Sequence, residues 1–62
     1  MYEKLREKRK EKNVQVKNLC EILSLQTEAA YFKKETGAVK ITVEEAILLA
    51  RFFRTSVERL FR

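Results

Sequence analysis

The chain contains no histidine, tryptophan or proline, and its nine acidic residues are all glutamate. Each absence closes off a kind of chemistry. Without His and Asp, neither a Ser-His-Asp nor a Cys-His nucleophile can be assembled. A calcium loop of the Asp-x-Asp-x-Asp kind is missing for the same reason. One cysteine forms no internal disulfide and no Cys-ligated zinc site. One glycine cannot supply a Gly-rich phosphate loop. The expectation is a non-enzyme with no catalytic residues, no metal, no cofactor and no small-molecule substrate. The longest apolar run covers only residues 46–50, against the ~20 that cross a membrane. The basic N-terminus leads into no apolar stretch, so no secretory signal is expected. With a single thiol, that fits a reducing, cytoplasmic setting.

What is present is small and basic. Sixty-two residues and 7.4 kDa allow one domain, residues 1–62. Size scaling predicts a folded surface of about 4,200 Å² and about 6,500 Å² removed from water. Burial then contributes about 97 kcal/mol if ~60% of that area is apolar. Ordering the chain costs about 93 kcal/mol. So near a balance makes the domain marginal alone and favours a partner chain or a ligand. The net charge of +5 and pI near 9.7 suit a polyanion, or serve solubility only.

One Gly and no Pro predict helices joined by short turns, an all-α fold. The first helix spans residues 2–12. Its stripes four apart are Glu3/Glu7/Glu11, Lys4/Lys8/Lys12, Leu5/Arg9 and Tyr2/Arg6/Lys10. Arg9 thus lies in line with Leu5 on the inner side and needs an acidic partner if buried. Asn13 suits a left-handed helix end. The second helix, 16–23, places Val16, Leu19, Cys20 and Leu23 on a core face, with Ile22 beside it. Cys20 reads as a small core residue.

Residues 24–26 read as a turn. The third helix spans 27–36, with Thr27 as N-cap and Gly37 as the left-handed terminator. Thr42 and Glu45 form a capping box that opens a fourth helix over 43–53. Its predicted core stripe is Ala46, Ile47, Ala50 and Phe53, with Leu49 next to it. Residues 55–58 form a second capping box, with Thr55 or Ser56 as the cap. A short fifth helix holds Val57, Leu60 and Phe61. Tyr31 and Phe32 lie about 100° apart, so one faces the core, and Tyr31 is assigned inward. Phe52 and Phe53 pose the same choice.

Five short helices, the second and third joined by three or four residues, is a helix-turn-helix layout. Several blocks carry a resemblance along nearly the whole chain. They are Leu5-Arg6-x-x-Arg9, residues 19–23 (LCEIL), 30–37 (AYFKKETG), 41–46 (ITVEEA) and 56–61 (SVERLF). In these the chain resembles the Cro/phage-repressor (XRE-like) helix-turn-helix family. Residues 25–31 (LQTEAAY) look like a subgroup of phages and mobile elements.

The resemblance implies a five-helix, Cro/repressor-like DNA-binding domain whose third helix enters the major groove of double-stranded DNA. Base contacts would then come from Gln26, Thr27, Glu28, Ala29 and Lys33. Phosphate contacts would come from Gln15, Val16, Lys17, Lys34, Gly37 (by its amide) and Lys40. Arg9 and Glu35 match positions that members commonly join as a structural ion pair; otherwise both are solvated charges. A homodimer is implied, with Val57, Leu60 and Phe61 as interface candidates unless they simply close the core. The setting implied is the cytoplasm and nucleoid of a prokaryote or its phage, and the role transcriptional repression. Val16 stands where members often carry Gln, and Ser24 where the turn usually carries Gly. Two alanines leave the third helix poor in base readers, which also motivates a protein-interaction module, antirepressor or antitoxin-like, on the same fold. Binding to any nucleic acid through charge alone is a third reading.

Overall fold

Helix-favouring sequence with few breakers folds into helices alone. The structure, a computed structural model, describes residues 2–61. Five helices run in order: α1 (Glu3–Glu11), α2 (Val16–Leu23), α3 (Glu28–Thr36), α4 (Val43–Phe52) and α5 (Val57–Phe61). No strand occurs among the described residues, so the all-α expectation holds. Among the described residues no helix is long and apolar enough to cross a membrane.

Local chemistry sets the starts. Thr27 accepts a hydrogen bond from the Ala30 N–H at 3.1 Å and caps α3. Thr42 and Glu45 form the full reciprocal capping box of α4. At α5 the cap is Ser56, which accepts from the Arg59 N–H at 3.1 Å. The box expected over 55–58 is not closed, because a Ser56 cap puts Arg59, not Glu58, at the reciprocal position.

The ends are closed by left-handed residues at Asn13 (φ 54°), Ser24 (φ 58°), Gly37 (φ 89°) and Arg54 (φ 54°). Three of the four are not glycine, yet they share one hydrogen-bond pattern. The Val14, Leu25 and Thr55 N–H groups reach back to the carbonyls of Arg9, Cys20 and Ala50. The Asn13, Ser24 and Arg54 N–H groups donate to Lys10, Glu21 and Arg51. α1, α2 and α4 thereby each end in a Schellman motif that satisfies two terminal carbonyls.

The core gathers Leu5, Leu19, Cys20, Leu23, Tyr31, Leu49, Ala50, Phe53 and Leu60. α1 packs on α3 and α5, α2 on α3 and α4, and α4 on α5. In α4 the expected stripe is rotated. Leu49 is fully buried and Ala46 half-buried, while Ile47 is exposed. Tyr31 and Phe53 take the inward positions, leaving Phe32 and Phe52 outside. Leu60, offered as an interface residue, is only 2% exposed. Phe61 meets the Tyr2 ring edge-on at 5.2 Å, so α5 closes the core against α1, and Val57 alone of the three stays exposed.

Candidate nucleic-acid interface

α2 and α3 pack together and are joined by residues 24–27. Ser24 supplies the left-handed bend for which a glycine is the easier choice. Leu25 follows it and packs half-buried against the core, which anchors the turn. The buried Cys20 thiol donates to the Thr27 carbonyl at 3.4 Å, tying α2 to the cap of α3. Burial, and secondarily the Glu28 carboxylate, raise the pKa of that thiol, so it stays protonated and inert.

The helix α3 has two distinct sides. Tyr31 and Glu35 point into the protein. Gln26, Thr27, Glu28, Ala29 and Lys33, the proposed base-reading set, are all exposed around its first turns. The Thr27 oxygen already accepts the cap bond, so its remaining capacity toward a base is chiefly as a donor. Phe32 and Thr36 share the outward side with Ala29 and Lys33 at helical spacing.

The inner side holds the ion pair. Arg9 Nε donates to Glu35 Oε2 and the terminal nitrogen to Oε1, both at 3.2 Å, a fork-on-carboxylate geometry. The side chains are 14% and 3% exposed. The guanidinium also lies over the Phe32 ring, 5.5 Å from its centroid. The Glu35 carbonyl accepts from the Tyr2 N–H at 3.0 Å, so α3 and the start of α1 are held twice. Burial raises the Tyr31 hydroxyl pKa strongly, and the nearby Glu35 carboxylate adds to the effect while Arg9 opposes it. That hydroxyl is buried close to the pair without a hydrogen bond of satisfactory geometry.

The phosphate candidates separate. Gln15, Lys17 and Lys40 are exposed. The Val16 side chain packs against the core, so only its position in the first turn of α2 offers an amide. Two candidates are already engaged. Lys34 Nζ pairs with Glu45 Oε1 at 2.9 Å and donates to the Lys40 carbonyl at 3.3 Å, which makes it a clasp between α3 and α4. The Gly37 N–H donates to the Lys34 carbonyl at 3.2 Å, as part of the helix end. Neither is a free phosphate donor.

The Lys34–Glu45 clasp and the left-handed Arg54 had no signal in the sequence. The clasp spans a loop rather than one helix turn, and arginine has no preference for positive φ. Burial alone would raise the Glu45 pKa. The Thr42 N–H and the Lys34 ammonium outweigh it and hold the carboxyl below the usual range.

The positive charge is not concentrated on this face. Of 14 basic residues, six (Lys4, Arg6, Lys8, Arg9, Lys10 and Lys12) lie on or at the end of α1, and only Lys17, Lys33, Lys34 and Lys40 fall between residues 13 and 42. Among the described residues, no group of three or more His, Cys, Asp or Glu is placed to hold a metal ion. No family model, curated protein or solved structure matches the chain.

Proposed function

We propose that the chain is a sequence-specific binder of double-stranded DNA, a small helix-turn-helix regulator that lays α3 in the major groove. The observation that carries this reading is the two-sidedness of α3. Its inner side is locked by Tyr31 and the Glu35–Arg9 pair, and its outer side exposes polar residues near the N-terminus, the end that reads base edges in such domains. Gln26 suits adenine, Glu28 accepts from cytosine N4, Thr27 donates to a base edge, and Lys33 reaches guanine or a phosphate. Lys17, Lys40, Gln15 and the first amides of α2 grip the backbone. The likeness of residues 19–23, 30–37 and 41–46 to the Cro/phage-repressor family points the same way. Acting as a homodimer in a prokaryotic or phage setting, the protein would repress by occluding a promoter.

Fragment selection from genomic DNA at about 150 mM salt, which suppresses loose binding, tests the reading. Recovery of a short palindromic site, lost on Lys33→Ala or Gln26→Ala, supports it. Enrichment no better than random sequence sinks it. A second reading, a protein-interaction module, is favoured by the exposed apolar residues of α4. A stoichiometric protein complex with no DNA footprint would select it.

A further inference from the structure

The outer side of α4 is apolar where solvent exposure favours polar residues. Val43 is 77% exposed, Ile47 and Leu48 39% each, and Phe52 41%. Helical spacing orders these residues. Glu44, Ile47, Leu48 and Arg51 fall at i, i+3, i+4 and i+7 and make one stripe, directed away from buried Leu49, Ala50 and Phe53. Val43 and Phe52 border the stripe on its two sides. Its apolar centre is Ile47 and Leu48, and its ends carry opposite charges. Glu44 and Arg51 are both exposed, and neither belongs to the ion pairs formed among the described residues. Seven residues separate them by about 10 Å along the helix, too far to meet each other.

Charge order selects the occupant. A two-fold axis between residues 47 and 48 pairs this stripe with an antiparallel copy of itself. Glu44 then meets Arg51 of the other chain, and Arg51 meets Glu44, so both contacts form at once. Ile47 and Leu48 each approach their own copy beside the axis. The antiparallel arrangement also sets the positive end of one helix dipole beside the negative end of the other. A parallel arrangement would set Glu44 on Glu44 and Arg51 on Arg51. We infer that α4 is the self-association face of this protein, joining two copies as an antiparallel helix pair through Glu44, Ile47, Leu48 and Arg51. The residues first offered for this role, on α5, are largely used inside the fold.

A helix about 15 Å long buries less than the ~1,200 Å² of tight complexes, so the dimer is weak and exchanges freely. This inference does not depend on what the protein binds. Sedimentation equilibrium of the full chain without DNA, up to about 1 mM to reach such weak association, tests it. The wild-type mass rises toward twice the monomer with concentration. Glu44→Arg and Arg51→Glu each weaken association at least about tenfold, because like charges then face each other twice. An equimolar mixture of the two variants associates again as a heterodimer, since one chain then carries two arginines and the other two glutamates on the stripe. Far-UV circular dichroism verifies that both variants keep their helix content. A wild-type chain that stays monomeric throughout overturns the inference, as does a mixture of folded variants that associates no better than each alone.

Discussion

At the residue scale, the Arg9–Glu35 pair is the contact whose loss does most harm. The two partners are unequal. Glu35 is the deeper, so removing Arg9 strands a buried carboxylate, whereas removing Glu35 leaves a guanidinium that can turn toward water. Arg9→Ala is expected to cost about 3–5 kcal/mol in urea unfolding and Glu35→Ala less. Equal costs would show that burial does not control the pair. Tyr31 offers the opposite case. Its buried hydroxyl sits beside the Glu35 carboxylate without a hydrogen bond of full geometry, so Tyr31→Phe changes stability by no more than about 1 kcal/mol. The Tyr31 pKa is raised in the fold, so the stability tied to its neutral form is full below about pH 10, the unfolded value. It is lost as pH climbs from there toward the native pKa. Phenylalanine removes that loss, and an alkaline melt of both proteins measures it. Glu45 behaves in the reverse sense. Its native pKa is lowered, so its contribution is full above the ordinary glutamate range and fades as pH falls through the native value. In an acid titration followed by circular dichroism, Glu45→Gln should flatten that part of the curve.

At the scale of the element, helix ends carry both the clearest sequence signals and the least visible features. Hydroxyl and glutamate spacing located the start of α4, and Thr27 that of α3, because a cap needs a particular side chain at a particular place. Gly37 and Asn13 were legible as ends for the same reason. Arg54 was not, since its left-handed turn is imposed by the docking of α5 on α4 rather than by its own preference. Arg54→Gly should therefore raise stability by about 0.5–1 kcal/mol in a thermal melt, with Ser24→Gly acting likewise. No gain at either position would mean that the arginine or serine side chain makes up the difference. The α4 stripe was misplaced for a different reason. Residues 46–50 are all apolar and wrap more than a full turn, so periodicity alone could not tell Leu49 inside from Ile47 outside. The α3 residues offered as base readers were placed by resemblance to a family. Two of the phosphate candidates, Lys34 and the Gly37 amide, are spent on contacts only a folded chain reveals.

At the scale of the whole molecule, surface and size tell one story. The folded chain exposes 4597 Å², about 400 Å² above the size-scaling expectation. The outward apolar residues of α4 are part of that surface, and the narrow balance between burial and ordering makes them matter. An antiparallel dimer removes some of this area from water only when folded. The melting temperature should accordingly rise with protein concentration, while Glu44→Arg abolishes the dependence. A melting temperature independent of concentration would argue for a self-sufficient monomer.

The buried thiol between α2 and the cap of α3 has an experimental use. Cys20 is the chain's single cysteine, so a disulfide exchange reagent has one target and gains access when the helices part. Its labelling rate across a urea series therefore clocks the opening of this helix pair apart from global unfolding. Any ligand that grips both α2 and α3 should slow that clock in proportion to its occupancy, without a fluorophore or engineered probe.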